Sequence, residues 1–284
     1  MPEFQRDGLT LWYDTFGAPD APPVVLLHGY TSDSRMWVEQ WLALEDEYYV
    51  IVPEMRAHGR STAPDELEAY SLDLYVEDMG ALLDSLGVEL SAVVGCSFGG
   101  MVALQFATTW PERVAALVVS DAGGAYMDDH YDEAYRERER GIDARSELVA
   151  ARGTGMAAKK AAATVSDEFL AGGVRAARQR AQANCIVGGA HARRTRPSQL
   201  GLLDRLTMPV MICIGSEDPV FSAAEVLIEG LPEARYVIFE GSGHGVPALR
   251  PGQFNAELGR FLNDVQAGES VAGRHTISPE PKRR

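Results

Sequence analysis

Short, continuous apolar runs recur along the chain, and each run is bounded by turn-forming residues. The runs lie at 24–27, 49–53, 92–94, 114–119, 209–214 and 236–239. Runs of this kind are typical of strands that are buried on both faces of a sheet. Before them, apolar and polar residues alternate over 9–16. This alternation predicts an edge strand with a hairpin partner on its N-terminal side.

Between the predicted strands, apolar residues recur with the three- and four-residue spacing of an amphipathic helix. The clearest case is 72–86, where Leu72, Val76 and Met79 share one helix face and Gly87 marks the end of the helix. Similar patterns predict helices at 36–44, 101–108, 223–231 and 252–265. Strands that alternate with helices in this way predict a mostly parallel, doubly wound sheet with helices on both faces.

Residues 125–207 interrupt this alternation. They are rich in Ala and Arg and carry 14 Lys and Arg against 11 Asp and Glu, whereas the rest of the chain carries 12 against 30. This composition predicts several helices that form a cap inserted into an α/β core. We therefore expect the core at 1–124 and 208–267, the helical cap at 125–207 and a flexible tail at 268–284. Within the cap, alternating charges at 132–140 predict a helix face in contact with solvent.

The apolar run at 92–94 ends in Gly95-Cys96-Ser97-Phe98-Gly99, and a helical segment follows at once. A Gly-x-Ser-x-Gly pattern between a strand and a helix is typical of a nucleophile elbow, in which the serine hydroxyl stands above the end of the sheet. The glycines are needed because helix and strand nearly touch at such a turn and leave no room for a Cβ atom. Ser97 is therefore the predicted nucleophile, and Cys96 is predicted to pack in the core.

A serine hydroxyl needs a base to take its proton, and histidine has a suitable pKa at neutral pH. Of the six histidines, His244 alone follows the last predicted strand, and its flanking glycines let the loop curl over the carboxyl edge of the sheet. His244 is therefore the predicted base. Structural or surface roles are predicted for the other five, which are His28, His58, His130, His191 and His275.

The base in turn needs a carboxylate that fixes its tautomer, and two aspartates are candidates. Asp218 follows the run at 209–214 and Asp121 follows the run at 114–119, so both lie at the carboxyl edge of the predicted sheet. The strand that precedes His244 is expected beside the strand at 209–214. Asp218 then has to span one strand spacing of about 5 Å and Asp121 about two. The shorter span favours Asp218, and Asp121 stays as the alternative acid.

These motifs occur in a characteristic order, together with His28-Gly29, the Arg-Ala-His-Gly-Arg-Ser stretch at 56–61 and the Gly-Ser-Glu-Asp-Pro stretch at 215–219. The sequence resembles the α/β-hydrolase superfamily with a helical cap, which includes carboxylesterases, lactonases and C–C bond hydrolases. The resemblance implies an α/β-hydrolase sheet, an inserted helical cap and a Ser/acid/His triad. It also keeps Asp121 open, because some members carry their acid at that strand. The fold hosts many chemistries, so the resemblance implies no particular substrate.

The expected function is that of a serine hydrolase that cleaves an ester or lactone of a small organic acid. The backbone N–H groups of Tyr30 and Phe98 are the candidates for the oxyanion hole. The cap is expected to close over the site and to set specificity. Its pocket is expected to be lined by Met36, Trp37, Tyr126 and Met127. A C–C bond hydrolase with the same triad and a non-catalytic ligand receptor are the alternatives.

Composition and charge indicate which classes of partner and which cellular compartment to expect. A net charge of −15 and a pI near 4.8 argue against nucleic acid and anionic membranes. Three cysteines fit neither a disulfide framework nor a zinc site, and the N-terminus lacks a secretory signal, so we expect a cytoplasmic protein. No apolar run approaches the roughly 18 residues of a membrane span. Without a histidine cluster of metal spacing or a Gly-rich phosphate loop, no metal or cofactor is predicted.

Overall fold

A computed structural model describes residues 2–152 and 172–279, and at 152 and 172–182 it describes the backbone only. The described residues form one sheet of nine strands. In chain order, the strands are β1 (Glu3–Arg6), β2 (Leu9–Phe16), β3 (Pro23–Leu27), β4 (Tyr49–Glu54), β5 (Ser91–Cys96), β6 (Val114–Ser120), β7 (Val210–Gly215), β8 (Arg235–Phe239) and β9 (Gly273–Ile277).

The strands lie in the order β1-β2-β4-β3-β5-β6-β7-β8-β9. β1 and β2 form the expected antiparallel hairpin, and β2 also pairs antiparallel with β4. Every other neighbouring pair is parallel, from β3 and β4 to β8 and β9. The prediction of a mostly parallel sheet is therefore confirmed. The pairing of β7 with β8 also confirms the neighbour relation on which the choice of acid rested.

The α-helices of the described residues are α1 (Val38–Leu44), α2 (Leu72–Ser85), α3 (Phe98–Thr109), α4 (Glu133–Arg152), α5 (Gly172–Thr195), α6 (Phe221–Glu229), α7 (Val246–Leu249) and α8 (Pro251–Ala267). Their ends follow local chemistry. The Ser71 side chain accepts a hydrogen bond from the N–H of Leu74 at the start of α2, and Gly268 adopts a φ of 68° after α8.

Two apolar layers hold the helices against the sheet. On one face, Trp37 and the α8 residues Phe254 and Phe261 pack against β3, β4 and β5. On the other face, the sheet packs against α2, α3 and α6 through residues such as Tyr75 and Leu227. Helices on both faces confirm the doubly wound architecture.

α4 and α5 are inserted between β6 and β7, and they confirm the expected helical insertion. α5 approaches the core closely at Gly188 and Gly189. A Cβ atom at Gly189 would lie 2.7 Å from the ring of Tyr30, and one at Gly188 would overlap the ring of Tyr70. These two glycines therefore let the inserted helix rest directly on aromatic rings of the core.

The expectation of a solvent-facing helix at 132–140 is only partly correct. α4 has one buried face, which includes Tyr135, Glu139, Ser146 and Val149, and Glu139 retains only 1% of its side-chain exposure. These positions recur at helical spacing, so a charged residue that falls on this face is buried with it.

The structure also differs from the expected tail at 268–284. Residues Gly273–Ile277 form β9, which pairs with β8 at the edge of the sheet. Ile277 packs against the apolar layer that contains Phe254. In the described ranges, none of the helices has the length and apolar character that would let it cross a membrane.

Candidate active site

Ser97 lies at the sharp turn between β5 and α3. Its φ of 54° and ψ of −114° lie outside the conformations that residues with side chains favour. The turn is tight because a Cβ atom at Gly95 would overlap the backbone of Gly99, and one at Gly99 would overlap the carbonyl of Leu27. The Gly-x-Ser-x-Gly pattern therefore has the steric origin that the sequence indicated.

The loop after β8 brings His244 over the ends of β5 and β7. This loop packs against Gly215 so closely that a Cβ atom there would overlap the backbone of Ser242. Gly245 follows the histidine with a φ of 98°, a conformation that glycine adopts without strain. Asp218 lies in the turn after β7, where its Oδ1 accepts a hydrogen bond of 2.9 Å from the N–H of Val220.

A continuous chain of hydrogen bonds links three of the predicted site residues. Nε2 of His244 lies 2.8 Å from Oγ of Ser97, and its Nδ1 lies 2.9 and 3.0 Å from the two carboxylate oxygens of Asp218. Burial opposes the charge of Asp218, but the hydrogen bond and charge of His244 outweigh burial and lower the pKa of the carboxyl. An ionised Asp218 can hold His244 in the tautomer whose free Nε2 accepts a proton from the serine.

Asp121, the alternative acid, lies behind this chain. Its Oδ2 accepts hydrogen bonds from the N–H of Val246 at 3.0 Å and from Oγ of Ser120 at 2.5 Å. Burial and the adjacent charge of Asp218 raise the pKa of Asp121 well above its usual range. The structure therefore brings Asp218, not Asp121, to Nδ1 of His244, and for Asp121 the effects of burial and of the Asp218 charge exceed that of its two hydrogen-bond donors.

Asp121, Asp218 and His244 also present ligand-type atoms within 4.8 Å of one another. Most of these atoms already have partners in the contacts described above. Asp218 binds Nδ1 of His244, and His244 directs its Nε2 at Ser97. The structure thus joins Ser97, His244 and Asp218, the three residues of the predicted triad, in one chain of hydrogen bonds.

The loop after β3 lies beside Ser97. A Cβ atom at Gly29 would be 3.6 Å from Cβ of Ser97, so the next residue, Tyr30, borders the serine. Within the described residues, no acceptor is bonded to the backbone N–H of Tyr30 or of Phe98. Both N–H groups are therefore without an acceptor in this part of the chain, and their role as an oxyanion hole stays a prediction.

The structure separates the four predicted pocket residues. Trp37 is fully buried and packs on Phe254, away from Ser97, and Met36 packs against the same apolar layer. The expectation that Trp37 lines the pocket is wrong, because its ring is buried against Phe254 of α8, whereas the expectation for Met36 stays a prediction. Met127 is 36% exposed. Tyr126 donates its hydroxyl hydrogen bond to Asp143 of α4.

Three charged residues at this site are absent from the sequence prediction. Arg138 of α4 places Nη2 at 2.9 Å from Nε2 of His244. Its Nη1 donates to Oε1 of Glu139 at 2.8 Å, and Arg193 of α5 donates to the same oxygen. The signal available in the sequence is the helical spacing of Tyr135 and Glu139 on the buried face of α4, which places Arg138 beside that face.

Comparisons with known proteins agree with this architecture. The family model described as alpha/beta hydrolase fold matches residues 22–251. The 3-oxoadipate enol-lactonase 2 of Acinetobacter baylyi is 28% identical over 269 residues, which cover 90% of this chain and 96% of that protein. Epoxide hydrolase 4 of Mus musculus is 35% identical over 112 residues, which cover 39% of this chain and 31% of that protein. A thermophilic esterase structure from Thermogutta terrifontis has a TM-score of 0.73 at 25% identity and covers 93% of this chain and 97% of that one.

Proposed function

The chain belongs to the α/β-hydrolase fold family, and from that premise we propose that it is a serine hydrolase of small carboxylic esters or lactones. The observation that carries the proposal is the hydrogen-bond chain from Ser97 through His244 to Asp218. This chain contains a nucleophile, a general base and a group that orients the base, in contact with one another. The hydrolases among the relatives and structural neighbours support the same class of reaction.

The proposed reaction forms and then hydrolyses an acyl-enzyme. Oγ of Ser97 attacks the substrate carbonyl carbon while Nε2 of His244 takes the hydroxyl proton. The imidazolium, which Asp218 stabilises, then gives this proton to the leaving alkoxide. Water attacks the acyl-enzyme with His244 again as the base, and the carboxylic acid leaves as Ser97 recovers its proton.

Negative charge develops on the carbonyl oxygen in both halves of this reaction. The unbonded N–H groups of Tyr30 and Phe98 are proposed to bind that oxygen, assisted by the positive end of α3, which begins at Phe98. Backbone donors of this kind are already oriented before the substrate arrives. They are proposed to lower the barrier without a cost of reorganisation.

The serine also argues against hydrolysis of an epoxide through a covalent intermediate. If Ser97 opened an epoxide ring, the product would be an ether between the serine and the substrate. An ether has no carbonyl carbon for water to attack, so the enzyme would remain alkylated after one turnover. The likeness to Epoxide hydrolase 4 covers only 31% of that protein and supports the shared fold more than its chemistry.

A panel of 4-nitrophenyl esters of increasing acyl length, tested beside several lactones, checks the proposal. We expect saturable turnover of at least one ester or lactone, and labelling of Ser97 by a fluorophosphonate, detected by intact mass. Ser97→Ala is the matched control and should lose both signals. Saturable ligand binding without turnover would instead favour a receptor, and turnover of a β-diketone alone would favour C–C bond hydrolysis.

A further inference from the structure

A group of buried charged residues in the helical insertion reaches His244 through Arg138. Arg138 and Glu139 belong to α4, Arg193 belongs to α5, and Arg196 directly follows the end of α5. The charges of all three arginines act on Glu139, and the charge of Asp218 acts on Arg138, so the arginines carry one positive charge more than these two carboxylates. In a chain whose net charge is −15, this concentration of positive charge is local to the site.

Arg138 approaches the same nitrogen atom that the proposed mechanism uses. Nε2 of His244 lies 2.9 Å from Nη2 of Arg138 and 2.8 Å from Oγ of Ser97. A neutral imidazole has one lone pair on this nitrogen, so Arg138 and Ser97 compete as donors. The positive charge of Arg138 also disfavours the imidazolium that must form when the serine loses its proton. Catalysis therefore requires a group that draws Arg138 away from Nε2 and compensates its charge.

Unpaired donors among these buried arginines also indicate that a negatively charged group binds here. Arg193 retains 1% of its side-chain exposure, and its Nε and Nη1 have no hydrogen-bond partner in the described part of the chain. Burial lowers the pKa of Arg138, and so does the charge of Arg193. Arg138 itself keeps 18% of its side-chain exposure, so it is the member of the group that a ligand can reach.

Resting on the function proposed above, we propose that the substrate carries a carboxylate in addition to its ester or lactone group, and that Arg138 binds this carboxylate. A carboxylate has the single negative charge that the group lacks, and a guanidinium binds it with directed, charge-assisted hydrogen bonds. Glu139 and Arg193 act as positioning residues, because Glu139 accepts from Nη1 of Arg138, Arg193 holds Glu139 in place, and Nη2 is left directed at the site.

The geometry limits the length of such a substrate. Only two hydrogen bonds separate Nη2 of Arg138 from Oγ of Ser97. The carboxylate and the attacked carbonyl therefore belong to one small molecule, such as the monoester of a short dicarboxylic acid or a lactone with an acid side chain. On binding, the carboxylate takes the N–H of Arg138 and frees Nε2 for the serine.

A matched pair of substrates tests the proposal. In 4-nitrophenyl hydrogen adipate, a carboxylate replaces the terminal methyl group of 4-nitrophenyl hexanoate, and the two are otherwise alike. We expect the wild-type enzyme to give a kcat/KM for the adipate ester at least tenfold above that for the hexanoate ester. A wild-type preference for the neutral ester would overturn the proposal without any variant.

Variants then assign the preference to Arg138. Arg138→Met should lower the ratio of the two kcat/KM values by about 10- to 100-fold, as expected when one partner of a buried charge pair is removed. Arg138→Lys, which keeps the charge, should restore part of the ratio. Arg140→Met removes the same charge from the exposed side of α4 and should leave the ratio unchanged. An equal ratio in Arg138→Met and the wild type would contradict the assignment.

A binding measurement separates this proposal from the proposed function. Calorimetry with hexanoate, and with hexanamide as the neutral control, should show hexanoate binding that Arg138→Met abolishes. If no ester is hydrolysed but this binding is present, the hydrolase proposal fails and the carboxylate site stands. If both esters are hydrolysed and hexanoate binds the two proteins equally, the carboxylate site fails and the hydrolase proposal stands.

Discussion

Ser97 occupies a strained backbone conformation that the surrounding turn enforces whether or not the hydroxyl is present. Ser97→Ala should therefore keep the fold. It should lower kcat for a 4-nitrophenyl ester by about 10,000-fold or more, because no acyl-enzyme can form. Steady-state kinetics measure the rate, and thermal unfolding checks the fold. A variant that keeps more than a tenth of the wild-type rate would rule out the serine mechanism.

Replacing each of the two aspartates at the sheet edge by asparagine should have different effects on kcat. Asp218→Asn should lower kcat by about 10,000-fold, because the amide favours the wrong tautomer of His244. Asp121→Asn should cost about tenfold or less, because burial and the charge of Asp218 favour the neutral form of Asp121, which a neutral amide resembles. Steady-state kinetics of the two variants, measured under one set of conditions, show which aspartate orients His244. The reverse order of effects would move the acid to Asp121.

At the residue scale, the sequence could predict those site residues whose position follows from strand order. Ser97, Asp218 and His244 each follow an apolar run, and parallel strands bring such positions to one edge. Arg138 could not be found in this way, because its place depends on how α4 lies over the sheet. The prediction that Trp37 lines the pocket is wrong because the local sequence does not reveal which helix the ring of Trp37 packs against.

At the scale of elements, the junction of β3, β5 and α3 depends on a backbone approach that admits no side chain. Gly99→Ala should destabilise the protein by about 3 kcal/mol or more, because the added methyl group would overlap the carbonyl of Leu27. Gly259→Ala in α8 is the control, because a Cβ atom there meets no neighbour within 4 Å. It should stabilise by about 0.5–1 kcal/mol. Urea unfolding measures the free energy of unfolding of both variants. Equal changes in the two variants would contradict the steric argument.

The sequence predicted elements well where the apolar pattern was continuous and poorly where tertiary contacts decide. β3 to β8 and the helix α2 follow their runs to within a few residues. β9 was missed because most of its residues are polar and exposed, and it exists through pairing with β8. α4 was recognised as a helix, but its buried charges are stabilised by one another, which a charge pattern alone does not reveal.

At the scale of the whole molecule, the chain divides by composition into a parallel sheet core and a helical insertion. If 125–207 forms a cap of its own, limited proteolysis should cut first within that range and spare the sheet, because helical insertions join the core at few points. Mass spectrometry of the early fragments locates the cuts. Early cleavage inside Val114–Ser120 or Val210–Gly215 would argue against this division.

Three buried groups connect the stability of the whole molecule to pH. Burial lowers the pKa of His28, and burial together with the adjacent His28 lowers the pKa of His58 to about 3. Asp121 behaves in the opposite way, because burial and the charge of Asp218 raise its pKa. As the pH falls below 6.5, the unfolded chain therefore takes up protons on both histidines before the native protein does. Above about pH 4 the native protein keeps a proton on Asp121 that the unfolded chain has lost.

As the pH falls from 6.5, the two histidines together outweigh the one aspartate, so their sum lowers stability until His28 is protonated in the native protein as well. His58→Asn removes one of them and keeps a donor for the carbonyl of Arg56, which Nδ1 of His58 contacts at 2.9 Å. Its stability should fall less steeply than that of the wild type, by about 0.7 kcal/mol per pH unit at pH 6.5 and about 1.3 kcal/mol per pH unit at pH 5. Urea unfolding at half-unit steps of pH measures both slopes. Parallel slopes would mean that His58 can take up a proton in the native state, which its burial against Phe98 and Tyr75 argues against.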